Sequence, residues 1–172
     1  MGDLYDKVTE GQDPLTKLIS KIPGFSGYIE KSNRRNADKL LREQIANQYT
    51  ELWKRVGNLQ QDFSNAGELQ HLDELETAAT KLQTFIDKVS NAAYGYAGFF
   101  DAIKIKEEEL AKIYQFDAAL LEMVDEIARA IDNVETSVGS DGLPAAIRHL
   151  VGLTRDLVST FERRHDVVVA IE

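Results

Sequence analysis

Between Glu107 and Val138 apolar residues recur at alternating steps of three and four: Leu110, Ile113, Leu120, Val124, Ile127, Ile131, Val134 and Val138. Asp117 takes the one remaining position of that series. Such spacing lines residues along one stripe of a helix, and Leu121 and Ala128 widen it enough to face two or three neighbours. The pattern predicts a rod of roughly 30 residues, about 45 Å long at 1.5 Å per residue. Three further stretches carry the same periodicity. Arg34 to Asn65 repeats through Leu41, Ile45, Gln48, Leu52, Val56, Leu59 and Phe63, with Tyr49 and Trp53 broadening the stripe. Gly57, inside this stretch, costs about 1 kcal/mol relative to alanine and is expected to permit a close helix crossing. Glu68 to Ala93 repeats through Leu72, Leu75, Ala79, Leu82, Ile86, Val89 and Ala93. The last helix opens at Leu143-Pro144 and repeats through Ile147, Leu150, Thr154, Leu157 and Phe161.

Turn residues separate these rods: Ser64-Asn65-Ala66-Gly67, the aromatic run Tyr94 to Phe100 with two glycines, and Gly139-Ser140-Asp141-Gly142. Near the start, Asp13-Pro14 has the form of an N-cap followed by proline, opening a short helix that stops before Pro23-Gly24. Residues 1–13 are polar and read as a flexible tail, leaving 14–172 as a single helical domain. Short loops set consecutive helices antiparallel, so the expected architecture is all-α: an elongated up-down-up-down four-helix bundle with an additional short N-terminal helix.

Composition narrows the function more than the fold. The chain has 172 residues, 43% of them hydrophobic, enough for one well-filled core. It contains no cysteine, which removes thiol nucleophiles, disulfides and thiolate metal sites and points to a reducing, cytoplasmic setting. No apolar run approaches the length of a membrane span, and the first residues lack a secretory pattern. A net charge of -9 argues against nucleic acid as a partner. The charge is unevenly spread, however. Residues 14–42 hold seven basic side chains against Glu30 and Asp38, a net +5.

Candidate chemistry is sparse. No glycine-rich phosphate loop and no Ser/His/Asp arrangement occurs, so the chain is read as non-enzymatic, with no cofactor. The alternative is a di-metal carboxylate bundle enzyme built on two Glu-x-x-His pairs, Glu68/His71 and Glu162/His165. In an antiparallel bundle those pairs fall at opposite ends, and two arginines flank the second.

Asp117 on the central stripe requires a donor if it is buried. Counting residues along the helices makes Arg42 the nearest cation, and Gln48 and Thr154 are candidates for a shared polar layer. The expected topology gathers Phe25, Tyr28, Lys31, Arg34, Arg35, Lys39, Arg42, Tyr94, Tyr96 and Phe99 at one end, with Phe100, Arg163 and Arg164. Cations beside aromatics supply both steering and an apolar anchor. This end is therefore the candidate docking surface for a protein partner. A peripheral anionic membrane surface is the competing occupant, and association of the chain with itself is compatible with the sequence.

Overall fold

The computed structural model describes residues 34–95 and 107–169, together with Leu18, Lys21 and Ile22. The 1–13 tail lies outside the described residues. The protein is all-α: α1 spans Arg34–Asn65, α2 Leu72–Gly95, α3 Glu107–Ser137 and α4 Leu143–Val169. A single 3-10 turn, Leu69–His71, precedes α2, so this helix begins later than its apolar spacing suggests. The cause is the stop that ends α1. Gly67 adopts φ +77°, its amide donates to the Ser64 carbonyl at 3.2 Å, and the Glu68 amide donates to the Phe63 carbonyl at 2.9 Å. That pair of reversed bonds satisfies the last carbonyls of α1 and turns the chain back on itself.

Contacts between side chains fix how the rods lie. Tyr49 meets Phe85 and Gln60 meets Glu76, so α1 and α2 run antiparallel. Asp117 meets Arg164 across the tight Val138–Gly142 turn, making α3 and α4 antiparallel. Tyr49 meets the Leu120 backbone while Arg55, further along α1, meets Asp132 and Glu135, so α1 and α3 run in the same sense. Phe85 and Lys88 meet Phe161 and Glu162, pairing α2 with α4. The main interfaces are thus α1–α2, α3–α4, α2–α4 and α1–α3, while α2 and α3, although consecutive, are not principal neighbours. We call the end where α1 and α3 start and α2 and α4 finish the lower end.

One continuous core runs between the four helices, from Leu41, Ile45 and Val89 through Leu52, Leu82, Leu120 and Leu157 to Phe63, Val134 and Leu143. The stripes differ from the simple three-four count at a few places. Tyr49 and Phe85 are fully buried where Gln48 and Ile86 are only half-buried, and Trp53 turns outward. Gly57 is exposed, and a Cβ there would meet nothing within 4 Å, so it does not serve a close crossing. Of residues 14–22, Leu18 and Ile22 are buried in the core, joined by one helical bond from the Ile22 amide to the Leu18 carbonyl at 3.0 Å. Lys21 bonds Asp125 at 3.0 Å and ties this turn to the middle of α3.

Candidate functional site: a charged layer near the lower end

Asp117 and Arg164 form an ion pair that is 1% exposed on both sides. Arg164 Nε donates to Asp117 Oδ1 at 2.6 Å, and Nη2 donates to Oδ2 at 3.3 Å. The two-pronged geometry suits a planar guanidinium against a carboxylate. Helix length explains the pairing. Asp117 lies twenty residues before the end of α3 and Arg164 twenty-one after the start of α4, so the hairpin sets them side by side. One donor therefore comes from the hairpin partner α4. Arg42, the cation expected from counting along α1, is itself buried at 7%.

An aromatic layer closes the pair off from above. The Phe85 ring stands edge-on to Tyr49 at 4.6 Å and to Phe161 at 5.6 Å, linking α1, α2 and α4. Tyr49 completes the layer on α3 by donating its hydroxyl to the Leu120 carbonyl, one turn above Asp117. Burial, with help from the charges of Glu126 and Asp125, pushes the Tyr49 phenol well above its ordinary range, so it remains a donor. Thr154 does not join the charged layer: it is buried but donates to the Val151 carbonyl of its own helix at 2.8 Å. Gln48 is only half-buried.

Desolvating two charges costs several kcal/mol each, and mutual attraction repays it only in good geometry. Each charge here meets the other in that geometry, which suits a lock on helix register. Sequence reasoning missed Arg164 as a core residue although a signal was present. Continuing the α4 stripe three residues beyond Phe161 lands on Arg164.

The expected docking residues divide into several groups. Phe25, Tyr28, Lys31, Tyr96, Phe99 and Phe100 lie outside the described residues. Arg34 and Arg35 fall in the first turn of α1 and Tyr94 in the last turn of α2, both at the lower end. Lys39 is exposed, 3.9 Å from Glu43 one turn on, and Arg163 is exposed on α4. Arg42 and Arg164 point into the protein, so they support this end from within.

The two Glu-x-x-His pairs are not brought together. Glu68 and His71 sit in the α1–α2 connection at the upper end, where Gln70 bonds Glu68 at 2.6 Å and the His71 ring lies 6.0 Å from Phe63. Glu162 and His165 sit near the end of α4, about 28 Å further down the axis at 1.5 Å per residue. Lys88 bonds Glu162 at 2.9 Å, and that bond and charge hold its carboxyl below the usual range. Among the described residues, no group of three or more His, Asp or Glu side chains is placed to share a metal ion. No described helix is long and apolar enough to cross a membrane. Compared with known proteins, the chain matches no family model, no curated protein and no solved structure.

Proposed function

We propose that the protein is a non-enzymatic interaction scaffold that docks an acidic protein partner through the lower end of its bundle. One observation carries this reading. The helix senses bring the starts of α1 and α3 and the ends of α2 and α4 together, so Arg34, Arg35 and Lys39 share an end with Tyr94 and Arg163. The charge of the sequence supports it: residues 14–42 are net positive in a chain of net charge -9, and a positive segment attracts acidic surfaces that the remainder repels. The scaffold role also accords with how carboxylates are used. Asp117, Asp132 and Glu162 are each tied to a cation, which fits parts that hold shape better than parts that exchange protons.

Reversing Arg34→Glu and Arg35→Glu together tests the reading. Used as bait in its native cell extract, the wild-type chain should retain a saturable acidic partner that the double variant loses. Stability should stay within about 1 kcal/mol, as for surface sites. Retention on anionic vesicles without a protein partner would transfer the surface to a membrane. Unfolding of the variant would make these arginines internal supports and remove the docking role.

A further inference from the structure

Among the main interfaces of the described helices, that between α1 and α3 is the slightest. Arg55 of α1 bridges its upper part, meeting Asp132 at 2.5 Å and Glu135 at 3.4 Å, which marks the side of α3 that faces α1. Asp125 lies seven residues before Asp132, two helical turns lower on that same side. Its charge also reaches Tyr49 of α1 and helps raise that phenol. Lys21 bonds the Asp125 carboxylate at 3.0 Å, so the N-terminal turn is tied to α3 on the side that faces α1.

The turn presents a single face. Leu18, Lys21 and Ile22 stand at i, i+3 and i+4, positions that lie together on a helix. The face that brings Lys21 to Asp125 is therefore the face that buries Leu18 and Ile22, at 0% and 2% exposure. One helical turn cannot bury its own side chains, so the bundle covers this apolar pair beside Asp125. On that side of α3, Leu121 is buried and Ala128 half-buried. Among the described residues, little else holds the turn. The long helices are rods of 24 residues or more, each with a packed stripe, whereas the turn shows one helical hydrogen bond. A helix so short does not persist alone, and a partly exposed ion pair adds little. Residues 23–33 separate Ile22 from α1, so losing the turn from the seam does not require α1 to move.

We propose that this turn is a displaceable strap over the α1–α3 seam, and that the seam beneath it accepts a basic amphipathic helix of the same pattern from a partner protein. The strap itself shows the chemistry of the occupant: two bulky apolar side chains one turn apart, with a lysine beside the second to meet Asp125. The exposed Glu126 next to Asp125 favours further basic residues on that partner. While seated, the strap competes for the seam, so the partner's apparent affinity scales with the fraction of chains that are open. Docking at the lower end calls for an acidic partner and for Arg34 and Arg35. Neither enters here, so the two readings fail separately.

The chain has no cysteine, so a single introduced thiol reports one position. In the full chain under native conditions, Leu18→Cys should react with a thiol reagent at least about a hundredfold faster than Leu157→Cys, which lies in the core on α4. Lys21→Glu and Asp125→Lys should each speed the reaction of Leu18→Cys by about threefold, and together they should slow it again. Equal rates at positions 18 and 157 would make the turn part of the bundle's cooperative core and overturn the strap. Rates at position 18 that ignore both charge reversals would overturn its placement on the seam. For the partner, a fluorescent peptide of residues 14–22 is titrated to about 1 mM against the wild-type chain and against Leu18→Asp/Ile22→Asp, which keeps the strap off. The released variant should bind the peptide at least about tenfold more tightly than the wild type. A peptide carrying Lys21→Glu should bind it less. Failure of the released variant to bind, or equal binding by both chains, overturns the acceptor seam. A released variant that loses its helical circular dichroism contradicts the strap as well, since the turn would then be indispensable to the core.

Discussion

Tyr49 shows how one side chain can join three elements. Its ring packs edge-on against Phe85 of α2 while its hydroxyl donates to Leu120 of α3. Tyr49→Phe should keep the packing and cost about 1 kcal/mol for the lost hydrogen bond. The pH dependence is more specific. The folded phenol has a raised pKa, so its contribution is whole below the ordinary tyrosine value of about 10 and is lost as pH rises through the folded value. Urea melts at pH 8 and pH 10.5 should show the wild type losing more stability on going alkaline than the phenylalanine variant. Asp117 and Arg164 make a second residue-scale case. Asp117→Leu or Arg164→Met alone strands a charge in a dry layer and should cost about 3–5 kcal/mol. The double variant should cost less than either single one, since neither charge of the pair is then left behind without the other. Equilibrium melts of all four chains give the coupling directly.

At the scale of the helices, the apolar spacing located all four rods, and the limits of α1 agree with it at both ends. The core was legible because a stripe of period 3.6 must face inward whatever lies opposite. Which helices become neighbours was not legible. Periodicity gives each rod one buried face but no choice among partners, so the α1–α3 and α2–α4 pairings came only from three-dimensional contacts. Asp117 could be marked as an anomaly for the same reason, whereas its donor depended on the hairpin register of α3 and α4. Trp53 and Gly57 misled because residues at a stripe edge lie within one small rotation of either environment. Gly57 supplies a test of that rotation. Its Cβ position is open, so Gly57→Ala should stabilise the single chain by about 0.5–1 kcal/mol through helix propensity alone. Thermal melts would show it, and a destabilised variant would mean that the site is packed after all.

At the scale of the molecule, charge and shape divide the labour. α3 exposes Asp125, Glu126, Asp132 and Glu135, whereas the start of α1 is basic, and the proposed docking of an acidic partner at the lower end rests on that contrast. The buried pair and the aromatic layer above it hold α3 and α4 in register just inside that end. Docking at the lower end is the central claim, and a photo-reactive amino acid placed at two exposed positions tests it most directly. One copy carries it at Glu43, one turn above Lys39; the other carries it at Leu69, 61% exposed at the opposite end. Irradiated in the native cell, the probe at Glu43 should capture an acidic protein, and the capture should disappear when Arg34→Glu and Arg35→Glu are added. The probe at Leu69 should capture no such protein. Equal or greater capture from Leu69, or capture at Glu43 that survives the charge reversal, would contradict the account.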